Sequence, residues 1–217
     1  MSDIFQEVDE EVRRERLLKL WERYQNYVIA GIVLILIGVA GWRAYDWWEA
    51  KKAAEAGTAF EAAVMLAETG KHAEAEAAFA KTSVEGTSGY RSLARLRQAA
   101  ELAQTDIKAA IAAYEKIAAD GSVGSDLQDL AGLRAAALLL DAGSFSDARK
   151  ELDPLAGERR PYRHNARELL ALAAWRAGDI PAAKHWFDII ATDIMTPADI
   201  RTRVEMLAAL VAAQGRS

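Results

Sequence analysis

GKHAEAEAAF (70–79), TDIKAAIAAY (105–114), GSFSDARKEL (143–152) and GDIPAAKHWF (178–187) are four versions of one ten-residue frame. Each carries a small alanine at its sixth place, at Ala75, Ala110, Ala148 and Ala183, with intervals of 35, 38 and 35 residues. One turn later stands an aromatic residue or leucine: Phe79, Tyr114, Leu152 and Phe187. Every position has a local physical reason. Glycine at the first place ends a helix, because it adopts without strain the left-handed conformation that satisfies the last carbonyls. An apolar residue two places on, as at Ile107, Phe145 and Ile180, anchors the start of the next helix. The alanine lets two helices approach closely, and the larger side chain fills the space beside it. Three of the four glycines are present; Thr105 departs, so the second turn is expected to differ in geometry. In the last version Asp179 is placed to cap, and Pro181 falls in the first helical turn, where its missing N–H costs little.

Helix pairs recurring at this interval resemble the tetratricopeptide repeat, whose period is 34 residues. Most of that repeat's Trp-Leu-Gly-Tyr marks in the first helix are absent or shifted, so the copies are degenerate. A last helix, from about 196 to 214, opens Thr196-Pro197-Ala198-Asp199 and is expected to cover the exposed face of the fourth pair. Alanine dominates this part of the chain, Gly and Pro are sparse, and β-branched runs are rare. The fold expected is all-α: one N-terminal membrane helix, then a tetratricopeptide-like solenoid of about four helix pairs and a capping helix.

The membrane helix is read from YQNYVIAGIVLILIGVAGW (24–42), 19 residues without a charge. At about 1.5 Å per residue it matches the hydrocarbon thickness of a bilayer. Trp21, Tyr24 and Tyr27 flank one end and Trp42, Tyr45, Trp47 and Trp48 the other, as interfacial rings do. Gly38-Val39-Ala40 offers a weak cleavage site, but the segment before the span is long and mixed in charge, unlike a secretory n-region. An uncleaved anchor is expected. Arg13, Arg14, Arg16, Lys19 and Arg23 precede the span, against Arg43, Lys51 and Lys52 after it, a bias towards a cytoplasmic N-terminus. The expected organisation is a cytoplasmic segment 1–23, a span 24–45 and a repeat domain 46–217 across the membrane, periplasmic where the cell has two membranes.

Residues 3–24 read as an amphipathic helix, with Phe5, Val8, Val12, Leu17, Leu20 and Trp21 at helical spacing. Acidic residues crowd its start and basic ones its end, suiting both the helix dipole and the lipid surface. It is either a solvated juxtamembrane helix or a docking helix for a partner.

Taken in order, the acidic-then-basic helix, the exit Gly41-Trp42-Arg43-Ala44-Tyr45 and the degenerate repeats resemble a bacterial inner-membrane family of ancillary Sec translocon subunits. That resemblance implies contacts with Sec translocon subunits, with periplasmic chaperones and with exported clients. A scaffold for envelope biogenesis or cell division is the alternative within the same class, and a membrane-tethered enzyme the rival outside it.

Charge and composition narrow the chemistry. From Ala53 on there are 19 Lys and Arg against 23 Asp and Glu, a net charge of −4, which argues against a nucleic-acid partner. Cysteine is absent, so there is no disulfide, thiolate metal site or cysteine nucleophile. His72, His164 and His185 lie apart at no metal-ligand spacing, and Gly121-Ser122-Val123-Gly124 follows no strand. No catalytic set, cofactor or small-molecule substrate is expected. Arg159, Arg160, Arg163, His164 and Arg167 form the one dense basic cluster, either a solvated turn or a contact for an acidic partner. The repeat frame assigns Phe60, Val64, Arg95, Leu133, Arg134, Ala137, Glu168, Leu172 and Arg176 to a groove for a peptide or partner helix, lined by the first helix of each pair. Gly31, Leu34, Gly38 and Gly41 share one stripe of the span, a candidate contact face for another membrane helix.

Overall fold

The computed structural model describes residues 3–214. Among the described residues there are nine α-helices, one short 3₁₀ turn and no strand. They divide into two compact units, one through Lys52 and one from Ala53 onward.

The first unit is helical throughout, formed by the start of α1 (Asp3–Glu68). An 18-residue window in this helix reaches a mean hydropathy of 2.0, and none of it is buried within the protein. By length and composition the helix is able to cross a membrane. At the end of the apolar run, Lys52 Nζ lies 3.8 Å from the centroid of the Trp48 ring and Lys51 Nζ 5.8 Å from that of Trp47. These cation–π contacts hold the ammonium groups beside the aromatic belt. The side chains of the expected N-terminal stripe Phe5, Val8, Val12 and Leu17 lie outside the described residues.

The second unit is four helix pairs and a cap. α1 from Ala53 pairs with α2 (His72–Glu85), and α3 (Ser88–Leu102) with α4 (Ile107–Ala118). α5 (Ser125–Asp141) pairs with the short α6 (Phe145–Leu152), and α7 (Arg163–Arg176) with α8 (Ile180–Thr192); α9 (Ala198–Gln214) closes the stack. Ala75, Ala110, Ala148 and Ala183 are each 0% exposed, and Phe79, Tyr114, Leu152 and Phe187 are buried beside them. The frame therefore marks the helix contacts. Buried clusters straddle the pair boundaries: Leu96 and Ala99 of α3 pack with Tyr114 of α4 and with Ala131 and Ala135 of α5. Leu152 of α6 and Ala136 of α5 likewise share a cluster with Ala166 and Leu170 of α7. Each pair thus buries its apolar faces on its neighbours, as stacked repeats require. α9 does the same for the last pair, placing Ile200, Val204 and Val211 against Ala171, Ala183, Phe187 and Ile190.

The turns follow the frame too. Gly70, Gly143 and Gly178 have φ of 77°, 80° and 77°, the only positive values among the described residues. After each, the next N–H reaches back five residues: Lys71 to the Leu66 carbonyl at 3.0 Å, Ser144 to Leu139 at 2.9 Å, Asp179 to Ala174 at 2.8 Å. This is the Schellman closure of a helix. At Thr105 the chain leaves α3 without a left-handed residue; the Asp106 N–H bonds the Leu102 carbonyl at 2.7 Å, and the Asp106 side chain accepts from the Ala109 N–H at 3.0 Å. Asp179 caps α8 in the same way, accepting from the Ala182 N–H at 3.0 Å.

The longest interval contains the α4–α5 connection, which folds around Asp120. Its carboxylate accepts from the Ser122 N–H and hydroxyl and from Arg95 at 2.7 Å, so Ser122 above all, then Arg95, holds it far below the usual carboxylate range. Val123 of the Gly121–Gly124 segment is buried in the α3–α5 cluster.

Candidate functional site

The first helices of the pairs enclose a hollow of about 560 Å³. Phe60 comes from α1, Leu93, Leu96, Arg97 and Ala100 from α3, Leu130 and Arg134 from α5, with Tyr114 reaching in from α4. Residues 93, 97 and 100 lie at i, i+4 and i+7, and 130 and 134 at i and i+4, so each helix presents one stripe. Phe60 is fixed from behind by ring contacts to Phe79 and Tyr90, with centroids 5.3 and 5.8 Å away. Leu96 and Tyr114 form the buried floor, and Leu93, 43% exposed, stands at the edge. Burial raises the Tyr114 hydroxyl above its ordinary pKa of 10.0; Arg134 and Arg97 oppose that shift and Glu101 adds to it. Both arginines are exposed, and neither has a carboxylate within 4 Å among the described residues.

Of the nine groove residues expected from the repeat frame, Phe60 and Arg134 line this hollow together. The other seven have different surroundings. Val64 packs in the α1–α3 cluster with Ala63, Phe79 and Ala94. Arg95 points to Asp120. Leu133 packs against the Leu152 and Leu170 cluster and Leu172 against Leu140, Ala148 and Ala173. Ala137 is half-buried. Glu168 holds Arg203 of α9 in a two-pronged ion pair at 2.6 and 2.8 Å. Arg176 donates to the Leu140 carbonyl at 3.2 Å at the end of α5 and sits 3.4 Å from Asp141. Leu93, Leu96, Arg97, Ala100, Tyr114 and Leu130 were not in the expected set. The apolar–Arg pair at i and i+4, present as Leu93/Arg97 and Leu130/Arg134, is the sequence signal for three of them, though Leu172/Arg176 shares it without lining this hollow; Leu96, Ala100 and Tyr114 carry no such mark.

All of the basic cluster except the exposed Arg159 is bound up inside the chain. Arg167 Nη1 lies 2.8 Å from Asp193 Oδ2 and its Nε donates to the Ala156 carbonyl at 3.0 Å. Arg163 and His164 each stand 3.8 Å from the same carboxylate oxygen. The Met195 N–H first, then Arg167, His164 and Arg163, hold Asp193 below the ordinary carboxylate range. Arg160 pairs at 3.1 Å with Asp129, whose buried carboxyl is pushed up by desolvation. These cations clamp α5, α7 and the α8–α9 turn to one another.

On the second-helix side two hollows repeat. Ile107, Lys108, Ile111, Ala112 and Glu115, with Leu139, Ala142 and Ser144, line about 540 Å³. Phe145, Ser146, Arg149, Lys150 and Asp153, with Ala174, Ala177 and Asp179, line about 480 Å³. These eight positions correspond, at an interval of 38 for residues 107 to 115 and 35 for residues 139 to 144, as stacking requires; Leu170, Ala173, Ala182 and Trp186 line the second hollow alone. In the first unit, a Cβ placed on Gly31, Gly38 or Gly41 would meet nothing within 4 Å, and Leu34 is 72% exposed.

For the histidines, the structure gives partners. His72 Nδ1 lies 2.7 Å from Glu101, His164 Nδ1 3.4 Å from the Thr196 hydroxyl, and the His185 ring stacks edge-on with Trp186 at 5.4 Å. Among the described residues no three His, Cys, Asp or Glu side chains converge as metal ligands.

Stacked helix pairs with a hollow between first helices and a membrane-length N-terminal helix define a helical-repeat interaction protein. Residues 19–206 match the tetratricopeptide repeat-like domain, and the chain belongs to that family. No curated protein and no solved structure matches the chain.

Proposed function

We propose that the protein is a single-pass scaffold of the bacterial inner membrane, N-terminus in the cytoplasm and repeat domain in the periplasm, that brings proteins together at the Sec translocon. It acts by binding, without catalysis or a cofactor. Residues 1–23 form its cytoplasmic segment, 24–45 the span and 46–217 the periplasmic domain. Its partners are translocon subunits and periplasmic chaperones or exported clients. The observation that carries the reading is the hollow between the first helices of a tetratricopeptide-like stack, open to solvent and rimmed by two arginines with no acid of their own. The five-to-three basic bias around the span supports the orientation, and the Gly41-Trp42-Arg43-Ala44-Tyr45 exit supports the translocon. Within the bilayer, the Gly31, Leu34, Gly38 and Gly41 stripe is the surface offered to a partner's helix.

Two measurements test this. Protease added to spheroplasts should remove the repeat domain; a protected C-terminus refutes the orientation. A photo-crosslinker at position 93 in native membranes should capture a translocon subunit or a periplasmic chaperone. Capture only of envelope-assembly or division proteins would transfer the scaffold to those machines.

A further inference from the structure

We propose that the hollow between α1, α3 and α5 seats a bulky apolar side chain of a partner segment, while Arg97 and Arg134 at its rim take the aspartate or glutamate side chains that flank it. The proposal deepens the scaffold reading and rests on it, since it names the chemistry the first-helix face selects.

The apolar half follows from the lining. Leu96 and Tyr114 close the floor, Phe60 is braced by two further rings, and Leu93 stands 43% exposed at the edge. The volume, about 560 Å³, lies within the roughly 300–1,000 Å³ range of sites that engulf a ligand. One phenylalanine or leucine side chain with its neighbouring backbone fits there; an aromatic ring buries about 150–250 Å² when seated.

The charged half follows from how the other cations are used. Arg95, Arg160, Arg163, Arg167, Arg176 and Arg203 each have a carboxylate of this chain within 4 Å. Arg97 and Arg134, like Arg91, Arg159 and Arg201, have none among the described residues; what sets the first two apart is that they come from different helices to one opening and both act on the same Tyr114 hydroxyl. Two like charges at one rim repel each other, and an incoming pair of carboxylates relieves that repulsion. Guanidinium groups take carboxylates through paired, directional hydrogen bonds. Specificity therefore needs both parts, the anchor and the acids.

The test uses the full chain in nanodiscs of zwitterionic lipid and fluorescein-labelled, acetylated peptides, read by anisotropy against empty nanodiscs. EDEFLDED should bind. Its anchorless form EDESGDED and its charge-reversed form KRKFLKRK should each bind about tenfold more weakly or not at all. Arg97→Glu with Arg134→Glu should weaken EDEFLDED by about tenfold or more and gain KRKFLKRK. That gain of new specificity separates a changed site from a misfolded one. Equal binding of EDEFLDED and KRKFLKRK, or no response to the double substitution, overturns the proposal. So does equal binding of EDESGDED, or displacement of EDEFLDED by adding anionic lipid to the nanodisc, since the rim would then be a general anion patch. If EDEFLDED fails to bind while the wild-type chain still co-purifies with translocon subunits, the groove assignment falls and the scaffold reading stands. If it binds and no translocon subunit is recovered, the groove stands and the translocon reading falls.

Discussion

Replacing Asp193 by Asn removes the charge that Arg167 and Arg163 share and puts an amide N–H where the Oδ2 acceptor faced Arg167. The Oδ1 atom that accepts from the Met195 N–H at 2.9 Å is preserved, so the α8–α9 turn keeps its local bond. What is lost is the counter-charge at 2.8 Å from Arg167 and 3.8 Å from Arg163 and His164. Side-chain exposure decides the magnitude: Arg167 is 9% exposed and Asp193 22%. Breaking a fully buried pair costs about 3–5 kcal/mol and an exposed one about 0.2–1 kcal/mol. With one partner buried and the other a fifth exposed, we expect about 2 kcal/mol, or roughly a thirtyfold faster opening. Hydrogen exchange of the full chain in nanodiscs reads this directly, with the acceleration concentrated in α7, α8 and α9. Asp147→Asn breaks the Lys150 pair, whose side chains are 75% and 56% exposed, and should change exchange by less than about twofold. Exchange altered less than about threefold by Asp193→Asn, or altered equally across α2 to α4, would refute the assignment of this cluster as a clamp.

Leucine at Ala110 or Ala148, both 0% exposed, should overpack the helix contact and cost about 1–3 kcal/mol in the same assay, whereas Glu74→Ala on the exposed face should stay within about 0.5 kcal/mol. Burial first, then Arg163, holds the His164 pKa below 6.5 against the pull of Asp193. The unfolded chain therefore binds more protons there, so His164's contribution is whole above 6.5 and is lost as pH falls through the folded pKa. Exchange in α7 to α9, corrected for its intrinsic rate, should quicken below that value, and His164→Gln should remove that part of the slope. Finally, Gly31→Leu with Gly38→Leu should leave insertion and the repeat domain intact but sharply reduce recovery of translocon subunits; unchanged recovery would place that contact outside the glycine stripe.

Much of the architecture was legible because each repeat writes its contacts in one short segment. A glycine forced into the left-handed region, an alanine too small to hold the helices apart and a ring one turn later all act within about ten residues of each other. Thr105 was legible as an exception for the same reason: without a glycine, the turn has to close through right-handed residues, and it does so with Asp106 as the cap. The groove was less legible because its residues lie on helices that carry no such frame. Arg95 and Arg97 are two positions apart, about 200° around a helix, and the first faces the Asp120 turn while the second faces the hollow. The Leu93/Arg97 spacing is the one mark local to α3 that separates them, and the acid that claims Arg95 sits beyond α4.

The basic cluster makes the same point in reverse. Arg159 to Arg167 is the densest positive stretch of the repeat domain and reads in the sequence as a surface for an acidic partner or as a solvated turn. Its acids come from Asp129 on α5 and Asp193 after α8, each roughly thirty residues away, and folding consumes the charge of Arg160, Arg163 and Arg167 internally while Arg159 stays exposed. Arg97 ends the shorter run Arg91, Arg95, Arg97, and Arg134 stands alone 37 residues on; folding brings the two to one opening without an acid within 4 Å among the described residues. Charge available to a partner is what remains after the chain's own acids have been assigned. Linear density does not measure it. In a stack of helix pairs those assignments run between adjacent repeats, so the free cations appear only once the register of α3, α4 and α5 is known. The contrast is open to direct comparison: removing Arg167 should act on stability and leave EDEFLDED binding alone, while Arg97→Gln should do the opposite. A variant pair that moved both readouts together would mean that the hollow and the clamp are one cooperative element.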